Sequence, residues 1–369
     1  MMLVKMRGQL WTACVLGCLV AGLGSSAVAA DWVRFAADGS KIVVETPGIS
    51  SFRGISSALY DVEGKTHRVG TRGYQLLAPV RSWRGTTPFG EAVISRASFA
   101  AAGSPYQYTL TLKRLTPLRA FTLQAVFHNR SDQDVNLRQM ELLDLRQGAG
   151  GSLVVGQPAD WLVTPLMEAT PAVSLATANK TFNEAALIYH AGGHGFLVGP
   201  VGPAEAYTQL LVRDQELSAS VQMDNVLVRA GESRRGEEMI FAFEPSQVAT
   251  QLWTRWVATT HGVRRHKGPI YGWCSWYDRT TKIDAAHVLD VTKTIADHPN
   301  VFGKGVIQID DGYQKMDGDW SANDKFPQGM ASVAEQIRAA GCLPGVWFAP
   351  LMIHPEHPWG RTHPDAIQT

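Results

Sequence analysis

Two adjacent carboxylates are the residues of this sequence with the clearest chemical potential. Asp310 and Asp311 directly follow an apolar segment, residues 305–309, and Gly312 comes after them. Successive side chains on an extended strand point to opposite faces, so both acids reach one pocket only where the strand ends or bends, which Gly312 permits. Paired carboxylates act as acid and base, bind a metal, or accept hydrogen bonds from the hydroxyls of a polyol.

Tryptophan residues accompany these acids at the ends of the predicted strands. Trp273 and Trp276 flank the end of one strand, Trp320 follows the next, and Trp347 ends a third. Indole rings cover the apolar C–H faces of sugars, while carboxylates accept hydrogen bonds from sugar hydroxyls. The combination favours a carbohydrate site in which the two acids and the indoles surround one sugar-sized hollow.

A histidine cluster offers a competing metal hypothesis. His354, His357 and His363 lie close together in the sequence, with Glu356 between them. Proline residues interrupt this segment, so no helix aligns two ligands four residues apart. The sequence also contains no glycine-rich phosphate loop after a strand and no Gly-x-Ser-x-Gly turn. We therefore do not favour a metal site at these histidines.

The first large region, residues 31–244, has the alternation of an all-β domain. Apolar and polar residues alternate in several segments that are separated by Gly, Asn and Asp. This pattern predicts an antiparallel β-sandwich. Clear examples are residues 108–112, 121–127, 135–137, 186–189, 195–198 and 238–243.

A helix and a basic linker, residues 245–267, follow the predicted sandwich. Residues 245–258 have helical spacing, with Ser246 as the expected N-cap and Leu252, Trp253 and Trp256 near one face. The remainder of this segment is rich in His, Arg, Gly and Lys, and we interpret it as a solvated connector.

From residue 268 to residue 369 the pattern changes to alternating strands and helices. The predicted order is a strand at 270–273, a helix at 284–296 with Asp284 as its cap, a strand at 305–309, a helix at 330–340 ended by Gly341, and a strand at 343–348. Such units form parallel sheets, and short strands with polar ends resemble the start of a (β/α)₈ TIM-type barrel. A full barrel needs about 250 residues, so we expect an incomplete one with three βα units.

The first 30 residues have the pattern of a secretory signal peptide. Lys5 and Arg7 precede an apolar run, residues 10–23, and small residues follow at 27–30. The run is shorter than the roughly 20 residues of a membrane-spanning helix. We therefore expect a periplasmic or extracellular protein with no membrane contact after cleavage. A lipoprotein acylated at Cys18 is the less favoured alternative.

Composition excludes several classes of protein. The chain has 369 residues, 45% of them hydrophobic, and a formal net charge of +1. This balance gives no electrostatic reason to expect a nucleic-acid partner. The 11 Trp, 13 Phe and 9 Tyr argue against disorder, because disordered chains contain few aromatic residues.

The stretch from Tyr271 to Pro350 resembles glycoside hydrolase family 36. This family contains α-galactosidases (melibiases), α-N-acetylgalactosaminidases and raffinose-type galactosyltransferases, and its members carry a large N-terminal β-sandwich. The resemblance rests on residues 272–277 (GWCSWY), 309–314 (IDDGYQ), 318–320 (GDW), 326–330 (FPQGM) and 344–350 (PGVWFAP).

The resemblance implies roles for individual residues. Asp310 and Asp311 would bind the hydroxyls at C4 and C6 of a galactose-like ring, Trp347 and Trp276 would line its subsite, and Trp320 would lie on the rim. The family's nucleophile is an Asp in a Lys-x-Asp sequence on the fourth barrel strand, and its acid/base follows the sixth strand. Residues 282–284 and 315–317 have the same letters in the wrong elements, so the catalytic residues are not identified in this sequence.

Together with the signal peptide, the resemblance implies a secreted glycoside hydrolase that cleaves terminal α-galactosides with retention and uses neither a metal nor an organic cofactor. We expect these 369 residues to be inactive alone, because the nucleophile and the acid/base lie beyond them. A galactose-containing oligosaccharide or glycoside is the expected partner, and a homo-oligomer stays open. The alternatives are an α-N-acetylgalactosaminidase or galactosyltransferase on the same scaffold, or a non-catalytic carbohydrate-binding protein.

The barrel placement also puts Cys274 and Cys342 at opposite ends of separate strands, so both are expected to be free thiols, mostly buried.

Overall fold

The computed structural model describes residues 32–46, 50–116, 118–155, 158–166, 171–183, 185–190, 195–201, 206–213, 215–263, 271–303 and 305–363. The predicted signal peptide, with Cys18, and the basic part of the linker, residues 264–267, lie outside these ranges. The chain divides into two compact units, residues 1–263 and 264–369. In the described ranges no helix combines the length and the apolar character that crossing a bilayer requires.

The first unit consists mainly of two antiparallel sheets. The nine strands of the first sheet are β1 (Val33–Phe35), β2 (Ile42–Thr46), β3 (Ser50–Val62), β4 (Lys65–Gly70), β10 (Val135–Asp144), β11 (Ser152–Val155), β14 (Asn179–Asn183), β17 (Tyr207–Arg213) and β18 (Glu216–Val228). The eleven strands of the second sheet are β5 (Gln75–Leu76), β6 (Arg81–Thr87), β7 (Gly90–Ala100), β8 (Tyr106–Leu115), β9 (Ala120–Asn129), β12 (Trp161–Pro165), β13 (Val173–Ser174), β15 (Ala186–His190), β16 (Gly195–Pro200), β19 (Ser233–Arg235) and β20 (Met239–Ala242).

Nine of the eighteen strand pairings described in these two sheets join neighbours in the sequence, and the other nine join strands farther apart in the chain. The first sheet runs β1-β2-β3-β10-β18-β17-β14, with β4 and β11 also paired to β3. The second runs β13-β12-β15-β16-β20-β9-β8-β7-β5, with β19 paired to β9 and β6 paired to β7. Short 3₁₀ turns at Gln147–Ala149 and Pro158–Asp160 connect strands. The antiparallel β-sandwich predicted from alternation is confirmed.

A continuous aromatic core fills the space between the two sheets. Alternation along β8 turns Tyr108, Leu110 and Leu112 into this core, where all three are buried. On β9, the ring of Phe121 stacks on Phe241 with centroids 4.9 Å apart and planes at 9°. Burial of each such ring contributes on the order of 1.5–3 kcal/mol to folding, so the sheets are held together mainly by this cluster.

Helix α1 (Ser246–Thr260) covers part of the outer face of the second sheet. Its buried residues include Leu252, Trp253 and Trp256, and the Trp253 indole N–H donates to the Pro200 carbonyl at 2.8 Å. The predicted cap at Ser246 is wrong: Pro245 occupies the N-cap position, Ser246 is the first helical residue, and its buried hydroxyl makes no hydrogen bond with the described residues. A side chain inside the first turn no longer reaches the N–H groups that a cap accepts from.

The second unit contains a parallel three-stranded sheet, a hairpin and short helices. Its strands are β21 (Gly272–Cys274), β22 (Val306–Ile309), β23 (Gln314–Met316), β24 (Asp319–Ala322) and β25 (Leu343–Val346). Its helices are α2 (Trp276–Arg279), α3 (Ala285–Asp297), α4 (Pro299–Phe302), α5 (Gly329–Ala339) and α6 (Pro358–Thr362), with a 3₁₀ turn at Thr280–Lys282. The parallel sheet has the order β21-β22-β25, and β23 pairs with β24.

The predicted alternation of strands and helices in this unit is confirmed. Asp284 caps α3 by accepting from the His287 N–H at 2.8 Å, and Gly341 has a φ of +83° after α5. Ile307 of β22 packs with Val288 of α3 and Ile337 of α5 in a separate core. The β23–β24 hairpin and the short helices α2, α4 and α6 are not predicted by the hydrophobic pattern, because each is shorter than two helical turns or an ordinary strand.

Candidate functional site

The register of the parallel sheet brings three strand ends together. Cys274 of β21 pairs with Gln308 of β22, and Ile309 of β22 pairs with Val346 of β25. The next residue of β25, Trp347, donates its N–H to the Ile309 carbonyl at 2.9 Å. Asp310 and Trp347 therefore follow neighbouring strands at the same edge of the sheet, which is where ligands bind in parallel α/β folds.

Asp310 is held by hydrogen bonds from the strand ends around it. Its Oδ2 accepts from the Gln308 amide at 2.8 Å and from the Cys274 thiol at 3.3 Å. Its Oδ1 accepts from the N–H of Asp311 at 2.9 Å, and its own N–H donates to the fully buried Ser275 hydroxyl at 2.8 Å. These contacts fix the orientation of the carboxylate before any ligand arrives.

The Cys274 thiol is a donor in this arrangement because it stays protonated. Burial raises the pKa of Cys274, and the nearby Asp310 carboxylate raises it further. Both Cys274 and Cys342 are free thiols, as expected. Cys342 is buried, whereas Cys274 is partly exposed at the strand end.

Asp311 is oriented by a different amide on the following loop. Its Oδ1 accepts from the Gln314 side chain at 2.6 Å, while the N–H of Gly312 donates to the same side chain's oxygen at 2.9 Å. Gly312 has a φ of +110°, and a Cβ there would lie 2.6 Å from the Cα of Thr281. Only glycine fits this bend without strain, as its position after the acids suggested.

A cavity of about 440 Å³ opens beside Asp311. It is lined by Thr281, Asp311, Gly312, Gln314, Lys315, Met316, Asp317, Asn323, Lys325 and His354. Asp311 alone among the six predicted binding residues lines it, so this cavity is not the single hollow expected for both acids and the indoles. The two carboxylates have different glutamine partners, Gln308 for Asp310 and Gln314 for Asp311.

Two of the predicted tryptophans contact each other. The rings of Trp320 and Trp347 lie 5.9 Å apart at 78°, and Phe348 lies 6.0 Å from Trp320 on another side. Trp276 is 40% exposed at the start of α2. Trp273 packs partly against the core of the unit. The structure therefore clusters Trp320 and Trp347, and places the other two on the segment around the end of β21.

Asp278, in the segment that follows β21, contacts His287 of α3, and the sequence did not indicate this pair. His287 Nε2 lies 2.6 Å from Asp278 Oδ2, and the hydrogen bond holds the pKa of Asp278 below its usual value. The Trp273 ring lies 6.1 Å from the ring of His287. No periodic pattern marks such a contact, because nine residues and a turn separate the partners.

The sequence analysis did not identify Gln308 and Cys274 as partners of Asp310, although the spacing of Gln308 could have indicated it. Gln308 lies two residues before Asp310 on β22, and residues i and i+2 of a strand share a face. Cys274 and Ser275 meet Asp310 only through the pairing of β21 with β22. That pairing is a tertiary property, so the sequence alone did not place them.

The histidines of the metal hypothesis have separate environments. His354 lines the cavity and accepts from the Glu356 N–H at 3.2 Å, His357 accepts from the Trp359 N–H at 3.2 Å, and His363 stacks on Trp359 at 4.6 Å. Within the described ranges no three or more His, Cys, Asp or Glu side chains are grouped as ligands of one metal ion.

Comparisons with known proteins agree on one family. The family model Melibiase matches residues 280–369. The α-galactosidase Mel36A of Lactobacillus acidophilus is 33% identical over 86 residues, which are 21% of this chain and 12% of that protein.

Solved structures extend the similarity of fold to most of the chain. The family 36 α-galactosidase AgaA of Geobacillus stearothermophilus superposes with a TM-score of 0.54 at 16% identity, over 84% of this chain and 48% of that one. A variant of AgaA in complex with stachyose gives a TM-score of 0.51 at 18% identity, with the same coverage. The chain thus spans about half the length of the solved structures that it matches.

Proposed function

We propose that this protein takes part in the retaining hydrolysis of terminal α-galactosides. The proposal is supported by the family model Melibiase, which matches residues 280–369, and by a fold similar to that of family 36 α-galactosidases. The resemblance found in the sequence is confirmed by the family model and by the relatives. The proposed substrate is a galactose-containing oligosaccharide or glycoside, which is supported by the stachyose complex of a structural relative.

One observation carries this proposal: an oriented carboxylate and an indole lie at the ends of two neighbouring strands of the parallel sheet. Asp310 follows Ile309, and Trp347 is hydrogen-bonded to Ile309 from the next strand. A carboxylate has about four acceptor sites, and the contacts of Asp310 and Asp311 leave capacity for sugar hydroxyls. We assign hydroxyl binding to these two acids, the subsite wall to Trp347 and Trp276, and the rim to Trp320 and Trp273.

We further propose that these 369 residues bind galactosides without cleaving them. Retaining hydrolysis needs two carboxyl groups about 5–5.5 Å apart across the scissile bond, one as nucleophile and one as acid/base. Asp310 and Asp311 are assigned to binding, and Asp284 is used as the cap of α3. The proposal for the whole protein therefore requires catalytic carboxylates outside residues 1–369.

Sugar titration of the purified chain tests the binding site. We expect galactose, but not glucose, to change the tryptophan fluorescence, because the hydrogen bonds of Asp310 and Asp311 depend on the orientation of the sugar hydroxyls. Asp310→Asn and Asp311→Asn should each weaken binding at least tenfold. Asp290→Asn, on the exposed side of α3, is the matched control and should bind as the wild type. Equal responses to both sugars, or unchanged binding in both variants, would contradict the site.

Three further measurements test the proposed lack of cleavage, the position of the catalytic residues and the sugar preference. Residues 31–369 should release no nitrophenol from a nitrophenyl α-galactoside, and measurable release would contradict the proposed lack of cleavage. Sequencing the DNA after the codon for Thr369 should find an open frame that encodes Lys-x-Asp on a fourth strand. Titration with N-acetylgalactosamine separates the α-N-acetylgalactosaminidase alternative, which predicts tighter binding than galactose.

We also propose export through the signal peptide at residues 1–30. The support is the order of positive, apolar and small residues in that segment. Mass spectrometry of the protein from periplasm or medium should find an N-terminus near Asp31. An uncleaved Met1 in all of the protein, or a lipid on Cys18, would contradict this form of export.

A further inference from the structure

A cluster of arginine residues lies on the outer face of the second sandwich sheet. Arg81 of β6 pairs with Arg96 of β7, Arg96 pairs with Thr111 of β8, and Thr111 pairs with Gln124 of β9. Directly paired residues share a face, so these four side chains form one row across four strands, about 14 Å wide at strand spacing. Arg235 of β19 pairs with Val126, two residues further along β9, on the same face.

This surface is distinct from the part of the same sheet face that α1 covers. Ala92 and Leu115, which face the same side as Arg96 and Thr111, are buried in a cluster with Trp256 of α1. Arg96 is exposed, and the Thr111 hydroxyl accepts from its Nε at 3.4 Å. We call the uncovered part the arginine face and define it by Arg81, Trp83, Arg96, Thr111, Gln124 and Arg235.

The charge of the arginine face is unbalanced. It has three guanidinium groups and no acidic member, although the whole chain has a net charge of only +1. Arg81 and Arg96 lie directly opposite each other, and like charges at such positions destabilise a sheet. On the adjacent row, by contrast, Lys113 is paired with Glu238 at 2.8 Å. A bound anion would relieve the repulsion that the arginine pair maintains.

An exposed indole borders these cations. Trp83 is 40% exposed, and the guanidinium carbon of Arg96 lies 5.3 Å from the centroid of its ring. Its cross-strand partner is Ile94, which places it on the face that carries Arg96. An apolar ring beside fixed donors suits the C–H face of a sugar, while the neighbouring guanidinium groups suit carboxylates.

We propose that the arginine face binds an acidic polysaccharide, one whose sugar units carry carboxylates. Arg81, Arg96 and Arg235 bind the carboxylates, Thr111 and Gln124 bind hydroxyls, and Trp83 packs on a sugar ring. A row of side chains across four strands suits an extended chain, unlike the strand-end site, which takes a chain terminus. Single-stranded nucleic acid is the less suitable polyanion, because it relies on stacking of successive bases on several aromatic rings, and the arginine face has one.

Binding of polygalacturonate to the full chain tests this proposal. We expect the protein to bind polygalacturonate, and this binding to weaken as the salt concentration rises. We expect no binding of a neutral galactomannan to the arginine face. Arg96→Gln and Arg235→Gln should each weaken binding about fivefold, and Trp83→Ala about threefold. Arg96→Lys should give a smaller loss, because it keeps the charge but not the planar fork. Arg53→Gln, exposed on β3 of the other sheet, is the matched control and should change little.

Circular dichroism and melting of each variant establish that a loss of binding is not a loss of folding. Absence of polygalacturonate binding by the wild type would overturn the proposal. Equal weakening by Arg53→Gln and Arg96→Gln would also overturn it, because the effect would then be one of net charge. Tighter binding of a single-stranded oligonucleotide, lost in the same variants, would replace the polysaccharide with nucleic acid. Galactose binding by Asp310 is a separate measurement, so either proposal can fail alone.

Discussion

The two units of this protein bury their sheets in different ways. The sandwich has two sheets whose inner faces share one aromatic core, in which Phe121 and Phe241 are fully buried. Among the three strands of the parallel sheet in the second unit, only the central strand, β22, has buried side chains, at Ile307 and Ile309. On β25, Leu343 is 61% exposed and Val346 is 53% exposed.

This difference concerns how many side chains each unit leaves exposed at its strand ends. Parallel sheets are normally covered on both faces, and helices α3 and α5 contribute to the one core that contains β22. The exposed strand ends of the second unit carry the oriented acids and the indoles. The sandwich thus has the architecture of a self-sufficient domain, while the second unit keeps side chains accessible for a ligand. Four measurements test this comparison.

The largest expected effect is in the sandwich core. Phe121→Ala removes a fully buried ring that stacks on Phe241, and should cost about 3–5 kcal/mol of folding free energy. Hydrogen exchange, followed peptide by peptide, should show the loss in residues 32–263. Phe302→Ala, at a phenylalanine that is 48% exposed in the second unit, is the control with little expected effect. Equal losses in both units after Phe121→Ala would contradict independent stability.

The next effect concerns the close pairing of β21 and β22. A Cβ on Gly272 would lie 1.9 Å from the Val306 carbonyl oxygen, so Gly272→Ala must push the strands apart. Overpacking of this kind costs about 1–3 kcal/mol, and exchange of the β22 amides should accelerate. Gly148→Ala in the sandwich unit, where no heavy atom lies within 4 Å of the new Cβ, should change stability by less than about 0.5 kcal/mol. Unchanged β22 protection in Gly272→Ala would show that the sheet yields easily.

A smaller effect is expected from the support beneath Asp310. Ser275→Ala removes the buried hydroxyl that accepts the Asp310 N–H, at a cost of about 1 kcal/mol. Galactose should bind more weakly while the sandwich keeps its exchange protection, because the change is confined to the strand ends. Ser321→Ala, at an exposed serine on β24, is the control. Normal galactose affinity in Ser275→Ala would mean that the other donors suffice to orient Asp310.

The smallest effect is a pH dependence of the segment after β21. The hydrogen bond from His287 lowers the pKa of Asp278, so the contact stabilises above about pH 4, the range of an unperturbed Asp, and is lost as pH falls through the lowered pKa. In His287→Ala, NMR titration should find the Asp278 pKa closer to its usual value. Arg279→Gln should move it less, because that ion pair is longer, at 3.7 Å. An unchanged Asp278 pKa in His287→Ala would contradict the assignment of the lowered pKa to this hydrogen bond.

Most of the fold was predictable because its signals are local. Alternation in residues 108–112 and 121–127 predicted strands that the structure has as parts of β8 and β9. Asp284 and Gly341 marked helix ends through their own side-chain and backbone chemistry. The wrong cap at Ser246 shows the limit of such signals, because Pro245 and Ser246 are both compatible with a helix start. A shift of one residue in the helix start changes which side chain occupies the N-cap position.

The candidate site was predictable in its residue types and only partly in its geometry. Position after a strand identified Asp310 and Asp311, and Gly312 indicated the bend. The i, i+2 spacing on β22 could have indicated Gln308 as a partner of Asp310, whereas the contact of Gln314 with Asp311 depends on the fold of the following loop. The same applies to the Cys274 thiol beside Asp310.

Periodicity and capping act over a few neighbouring residues, so the amino-acid sequence was enough to predict which segments extend or coil and which residue types stand at the strand ends. The tertiary structure sets the register of β21 and β25 against β22, and with it the partners of Asp310. It also decided that Arg81 and Arg96 lie opposite each other. Hydrogen bonds and charges between segments far apart in the chain depend on how whole strands align, and that alignment is set by the burial of all their side chains together.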